Sequence, residues 1–458
     1  MSGQSVRNFL EQLAARGEVL HIPERVAAVH ELASYLTLLD GGPAVVFDRV
    51  DDSALAVVAN VLSSRARIAA ALQTDSAGIQ ARLVEAVRSP LAPIAVDHSP
   101  VQEVVETAVD LGQLPVPTFF ERETGPYVTA GVMIAKDPVT GRGNASFARL
   151  KILGPDRAFI GIAPNHHLAQ LAARSAELGR ALEIAVVIGA HPAIQMAACL
   201  YLGLGDDELH CAGRLLGEPV RVTRARTVDL LVPAEAEVVL EGSLDWNDRV
   251  TEGLVSEFHG MYEDYGSGAT VSFSALTRRR DAMFQVIQPG WHREHIYLGA
   301  VPIAAGLAAV VARAVPVTRD VSVTEAGAGR VAAVVSLDRP KPGQARRAMF
   351  ACWAAVSLIK QVTVVDADID VWDPEAVEWA RLSRCRVERD IVIVEGVAAD
   401  RAEPMERDGM VTKIGYDATC HPGDRVAGFD RALPPADVLE RVMARLGGRL
   451  PSPDGSSR

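Results

Sequence analysis

The chain has 458 residues, 49% of them apolar and 23% charged, with a formal charge of −12. That length calls for two or three domains, and that composition belongs to a folded globular protein rather than a disordered one. The acidic balance argues against a nucleic-acid partner, because neutralising phosphates takes clustered Lys and Arg. The basic run Arg278-Arg279-Arg280 reads as a solvated turn or a local phosphate contact.

Within residues 5–16, Val6, Phe9, Leu10 and Leu13 recur at helical spacing and predict a short amphipathic helix with no signal-peptide core. EVLHI, a helix over residues 28–39, the strand patterns AVVFDRV and ALAVVANVL, and a helix over about 76–88 follow. This alternation predicts an α/β domain over residues 1–115, closed by the Pro- and Gly-punctuated DLGQLPVPTFFERETGPY. Over residues 116–297 strands dominate: VTAGVMIAKDP, NASFARLKILG, RAFIGIAP, LEIAVVIGA, EPVRVTRARTVDLLVP and EAEVVLEGSL. One helix (HLAQLAARSAEL) interrupts them and another follows GAHPA, a pattern that predicts a barrel or sandwich. Residues 298–458 return to α/β and close with the amphipathic helix PADVLERVMARLGG and a polar tail, PSPDGSSR, expected to fray. The apolar stripe Val438, Leu439, Val442 and Leu446 suits packing on its own domain or on a second subunit equally.

The longest apolar stretch, AVPIAAGLAAVVARAV, is interrupted by Pro302 and Arg313 and reads as too short to cross a bilayer, so no membrane partner is expected. The five cysteines are scattered without a CxxC pair, which indicates neither a disulfide framework nor a thiolate zinc site and suits the cytoplasm.

Seven polar residues stand out. Asn144 and Arg149 lie in NASFAR, Glu252 and Glu257 in EGLVSEF, His167 in PNHHL, Glu208 in GDDELHCAG, and Lys413 in VTKIGYDAT. An amide oxygen (Asn144), an imidazole (His167) and a carboxylate (Glu208) suit Mn²⁺ or Mg²⁺ better than a thiophilic metal. By spacing alone, Glu208 reads more readily as a solvated helix-start acid, and His166 and His167 as helix N-cap residues. An arginine between two carboxylates can hold one ionised while the other moves a proton; the same trio can form a surface ion pair that does no chemistry. If NASFAR is one strand, its odd spacing puts Asn144 and Arg149 on opposite faces unless a bulge or turn intervenes. Lys413, ahead of the sharp IGYDATCHPGD, could offer an ammonium to a phosphate, or be an ordinary lone lysine. Neither GxGxxG after a strand nor GxxxxGK[ST] occurs, so a nucleotide-like cofactor would have to be held by metal and basic side chains.

In this order the segments resemble the UbiD family of decarboxylases, which use prenylated FMN. SVRNFLEQLAARGEVLHI is similar to the family's opening, and ELHCAGRLLGEPVRV, VPAEAEVVLEG and EGLVSEFHGMY to its central signature. VTVVDADIDVWDPEAVEWARLSRC and KIGYDAT are similar to its C-terminal unit and closing cofactor motif. The resemblance implies an N-terminal α/β domain, a central split β-barrel that holds the flavin, and a C-terminal α/β domain whose last helix serves oligomerisation as a homodimer or higher assembly. Asn144, His167 and Glu208 would ligate Mn²⁺ (or Mg²⁺), with K⁺ beside it on backbone oxygens. The metal and Lys413 would grip the cofactor phosphate, while Asn144, Ala145, Ser146, Phe147, Ala148 and Arg149, with His166 and His167, would line the flavin. Glu257 would be the proton donor, supported by Arg149 and Glu252. A flavin prenyltransferase would supply the cofactor.

Two positions depart from the family pattern. His166 stands where some relatives carry glutamine, and EGLVSEF replaces EGPFGEF, losing a rigid turn and an aromatic. The implied reaction is reversible, non-oxidative decarboxylation of an aromatic, heteroaromatic or α,β-unsaturated carboxylic acid, with CO₂ released. The segment GWHREHIYLGAVP clusters Trp291, His292, Arg293 and His295. As part of the pocket it would favour furan- or pyrrole-type carboxylates such as furan-2,5-dicarboxylate; as an exposed loop it would favour nothing. Phenolic and aryl-acrylic acids are alternatives, as are two other classes: a flavin-reductase-like oxidoreductase and a catalytically silent assembly subunit.

Overall fold

The computed structural model describes residues 3–421 and 432–446; PSPDGSSR and the end of the Lys413 segment from Pro422 lie outside them. The first helix, Val6–Ala14, begins where the Ser5 hydroxyl accepts from the Asn8 N–H, and it buries Val6, Phe9, Leu10 and Leu13 as their spacing predicts. The next strands, Val19–Val26, Ala44–Val50 and Ala56–Ala59, form a four-stranded sheet in that order. Its fourth member is Met283–Gln285, which returns from the far side of the middle region to pair in parallel with Ala56–Ala59. The apolar core is continuous across this junction: Phe47 and Val57 pack in one cluster with Val186, Leu240 and Phe284.

The middle region is a nine-stranded antiparallel sheet. Its hydrogen-bonded order runs Tyr127–Val128, Arg149–Ile152, Arg157–Gly161, Ser267–Arg278, Val238–Thr251, Leu182–Ile188, Val132–Lys136, Gly143–Phe147, with Val104–Glu106 added on Ser267–Arg278. Gly143–Phe147 ends this order and Arg149–Ile152 lies near its other end, yet only Ala148 separates them in the chain. A sheet with that connection cannot lie flat; it must curl until its ends meet. The result is a half-barrel. NASFAR is therefore two strands broken at Ala148, and the face alternation expected for one strand does not carry across it. The EPVRVTRARTVDLLVP segment lies outside the barrel, as strands Arg221–Arg224 and Leu231–Pro233 in a small sheet with Ile94–Ala95.

In the C-terminal part, strands Thr318–Val323, Ala332–Leu337, Gln361–Asp366, Met410–Ala418 and Ile391–Ala398 form a five-stranded mixed sheet in that order. Lys413 is thus mid-strand, not beside a sharp turn. The long helix Arg293–Ala314 starts well before the apolar stretch read from sequence and is long and apolar enough to cross a bilayer. Two-thirds of its apolar window, 67%, is buried inside the protein, so it serves as a core helix. Among the described residues, none buries a side chain of helix Ala436–Leu446.

At Glu241/Gly242 the central strand pair bulges, and a Cβ on Gly242 would lie 2.1 Å from the backbone oxygen of Ser272. Backbone cannot yield there, so Gly242→Ala is expected to cost about 1–3 kcal/mol, read as a lower denaturation midpoint with an unchanged fold.

Candidate active site

Strand Gly143–Phe147 supplies the first half of the site. Asn144 and Ser146, two residues apart, share one face. Both are buried, and Asn144 Oδ1 and Ser146 Oγ have no hydrogen-bond partner. Buried polar atoms are nearly always satisfied, so two such oxygens side by side mark a place prepared for a ligand.

Glu208 meets this face. It opens helix Glu208–Leu216, whose N-cap is Asp207, and it is 3% exposed. Its carboxylate accepts from the Ala145 N–H at 2.7 Å and from Asn144 Nδ2 at 3.2 Å. Burial, then Asp207 and Asp206, push its carboxyl up to about 8 against two backbone N–H donors. A cation beside it would reverse that shift. His167 opens the neighbouring helix, His167–Glu177, behind the His166 cap, whose Nδ1 accepts from the Leu168 N–H at 3.3 Å. Burial, then His167, push His166 down to about 4. Both helices pack on strand Gly143–Phe147, and the N-terminus of helix Glu208–Leu216 meets it directly. Among the described residues no three His, Cys, Asp or Glu side chains cluster as a metal site. The orphaned Asn144 oxygen and the Glu208 carboxylate meet at this strand and are oxygen donors that could hold a hard divalent ion, while His167 opens the other helix that packs on the strand.

Arg149, on the other side of the Ala148 link, builds the second half. Its Nε and Nη2 donate to the two oxygens of Glu252 at 2.6 and 2.7 Å. Burial opposes the guanidinium's charge, but the bonds and charge of Glu252 outweigh it, so the pKa lies above the usual arginine value. Gly161, its partner across the ladder, has no side chain for good reason: a Cβ would lie 2.8 Å from the guanidinium carbon.

Glu257 faces the same guanidinium. Burial works against its charge. Arg149, the Tyr265 O–H at 2.7 Å and the Phe258 N–H at 2.9 Å more than compensate, holding its carboxyl below the ordinary range. Burial and then the Glu257 charge raise the Tyr265 phenol, so it stays a donor. Arg149 and Arg401 both lie over the Tyr265 ring, 5.4 and 4.3 Å from its centroid.

These groups open on a cavity of about 220 Å³ walled by Phe147, Ala148, Arg149, Cys199, Ser256, Glu257, His295 and Arg330, among others. The larger hollow of about 680 Å³ near Asp51 and Arg278 holds none of them.

Several residues singled out by sequence lie elsewhere. His292 is buried against Leu36 O and Asp40, and Arg293 pairs with Glu325; neither lines the cavity. Trp291 is 66% exposed. Lys413 is buried, and its ammonium donates to Ser357 O at 2.9 Å and Ile359 O at 2.8 Å. Burial holds its pKa below the lysine norm against the pull of Glu403.

Arg330, Tyr265 and Glu123 were not foreseen, because no local pattern announces them. Glu123 explains how Leu-Val-Ser replaces a rigid turn. Val255–Ser256 pairs with Tyr262–Glu263 as a short hairpin, and Glu123 accepts from the Ser256 hydroxyl at 2.9 Å and from the Phe119 and Phe120 N–H groups.

Comparison with known proteins agrees over most of the chain. The 3-octaprenyl-4-hydroxybenzoate carboxy-lyase (UbiD) N-terminal, Rift-related and C-terminal domain profiles match residues 10–87, 94–292 and 296–418. An anhydromevalonate phosphate decarboxylase of Methanothermobacter thermautotrophicus is 33% identical, over 90% of this chain and 96% of that one. The UbiD-class enzyme HmfF from Pelotomaculum thermopropionicum, in complex with FMN, superposes with a TM-score of 0.91 at 37% identity, over 94% of this chain and 97% of that one. An evolved dimeric form of that enzyme, in complex with prFMN, gives 0.87 at 35% identity with the same coverage.

Glu123→Ala would leave the Phe119 and Phe120 N–H groups and Ser256 unanswered, a loss of about 1–3 kcal/mol. Hydrogen exchange should show reduced protection at residues 119–120 and 255–257, with the rest of the barrel unchanged.

Proposed function

The chain belongs to the UbiD family of carboxy-lyases, and on that footing we propose that it uses prenylated FMN to decarboxylate a heteroaromatic, aromatic or α,β-unsaturated carboxylic acid, reversibly and without oxidation. A furan- or pyrrole-type carboxylate is the favoured substrate. The observation that carries the reading is Glu257, a cavity-facing carboxylate kept ionised by Arg149 and Tyr265. The FMN- and prFMN-bound forms of HmfF support the cofactor. Bound prenylated FMN supplies an electron sink for the substrate carbon that parts from CO₂.

The side chains supply positioning and a proton. Glu257, ionised when the acid enters, takes up a proton and returns it to the carbon that has lost CO₂. Arg149 fixes that carboxylate's position and charge, and Glu252, held at both oxygens, fixes Arg149. Phe147, Ile287, Pro289 and Leu298 give the cavity an apolar wall that limits water. Asn144, His167 and Glu208 would hold a divalent ion, Mn²⁺ or Mg²⁺, against the cofactor phosphate, with the helix N-terminus at Glu208 beside it. We assign the chain to the cytoplasm, in keeping with its five free cysteines. The unburied stripe of helix Ala436–Leu446 would pack on a neighbouring subunit of a homo-oligomer.

Co-expression with a flavin prenyltransferase, then intact cofactor mass and a carboxylic-acid panel followed by CO₂ release, tests the reading. Ordinary FMN with NADPH consumption, or no flavin at all, would contradict it. In the loaded enzyme, Glu257→Gln is expected to keep the flavin and lose at least about 100-fold in decarboxylation, the scale of a general acid. Full turnover with flavin bound would remove Glu257 as proton donor. Asn144→Ala should purify depleted in both divalent metal and flavin by elemental analysis and absorbance; stoichiometric flavin without metal would contradict the bridging ion.

A further inference from the structure

The cavity that holds Arg149, Glu257 and His295 contains a second guanidinium that no carboxylate answers. Arg330 follows the turn between strands Thr318–Val323 and Ala332–Leu337, in the C-terminal part of the chain. The turn is built to bring it there. Ala328 and Gly329 take positive φ values of 51° and 68°, and a Cβ on Gly329 would come within 2.5 Å of Ile296 O. The turn therefore rests on the helix that carries His295. Gly299 of the same helix makes room for the guanidinium, since a Cβ there would sit 1.3 Å from Nη1 of Arg330.

Once delivered, the charge has little to do. Nη1 donates to Gly329 O at 3.1 Å and to Ile296 O at 3.4 Å, and the Phe258 ring centroid is 5.9 Å away. Among the described residues no carboxylate lies within 4 Å of the Arg330 guanidinium. Arg149, the other cation on the wall, has both its bonds on Glu252. His295, pushed down to about 4 by burial and then by Arg330, adds no charge near neutrality.

Arg330 is half-buried and lines the cavity with no carboxylate beside it among the described residues, so an entering anion would gain a charge-assisted contact there. The carboxylate that leaves as CO₂ is a poor candidate. It gives up its charge as it departs, so a guanidinium bound to it would stabilise the ground state more than the transition state. The anion that fits is one the reaction leaves intact. We infer that Arg330 binds a second anionic group of the substrate, a carboxylate or a phosphate monoester, and thereby selects doubly anionic acids over singly charged ones. The reaction class rests on the decarboxylase reading above; the binding preference does not need it.

The test uses the enzyme loaded with prenylated FMN and three probes: furan-2,5-dicarboxylate, its monomethyl ester, and the phosphate ester of 5-(hydroxymethyl)furan-2-carboxylate. Binding is followed by titration calorimetry and flavin absorbance, and turnover by CO₂ release. At least one doubly anionic probe should bind about 30-fold tighter than the monoester, the scale of a charge-assisted bidentate contact. The better of the two identifies carboxylate or phosphate as the anion. Arg330→Met should collapse that ratio through binding and KM, and Arg330→Lys should keep part of it. Gly299→Ala, which displaces the guanidinium without removing its charge, should reproduce the loss and decides the matter if Arg330→Met does not hold flavin. Equal binding of all three probes by the unaltered enzyme, or an unchanged ratio in Arg330→Met, would overturn the inference. Selective binding without any CO₂ release would overturn the decarboxylase reading and leave Arg330 in place.

Discussion

Ala148 joins two strands from opposite regions of the sheet's hydrogen-bonded order, and that one-residue link obliges the sheet to curl. The rest of the site follows from the closure. On one side of the link, Gly143–Phe147 brings Asn144 to the helix start at Glu208. On the other, Arg149 reaches across Gly161 to Glu252 and faces Glu257. The proposed cofactor anchoring and proton delivery would therefore depend on the same short run of backbone.

The electrostatics divide accordingly. The anchoring side holds a carboxylate raised by burial and two unpartnered oxygens, an arrangement that gains when a cation arrives. On the other side, Arg149 is held at two donors by Glu252 and still faces the ionised Glu257. Removing either partner of such a buried pair costs about 3–5 kcal/mol through the charge left behind. That expense is structural; its return is a fixed positive charge beside Glu257. Tyr265 adds a directed hydrogen bond, and Arg401 stacks on its ring, so a loop of the C-terminal part reaches Glu257 through one aromatic residue.

The fold was largely legible in the chain because its signals are local. Val6, Phe9, Leu10 and Leu13 declared the first helix, and the runs around Val45 and Val57 declared buried strands. The return of Met283–Gln285 to the N-terminal sheet was not legible, since three residues carry no period. At the site, spacing could not separate an ion pair from a buried network, and closure at Ala148 explains why Arg149 and Glu252, so distant in sequence, meet. The substrate wall was read least well. His292 and Arg293 look like binding groups in GWHREH, but their side chains pair with Asp40 and Glu325, while Arg330 arrives from a turn that sequence marks only as AGAGR.

The central claim is that Arg149 and Tyr265 keep Glu257 ionised despite its burial. Isotope-edited infrared titration of the Glu257 carboxylate, in the native chain and in Tyr265→Phe, tests it most directly. The account predicts that the native group protonates below the ordinary glutamate value of about 4.3. Loss of the phenol removes a hydrogen bond to the charged form, so the variant should protonate at higher pH. A native Glu257 that protonates above the ordinary value, with no change in Tyr265→Phe, would contradict the account.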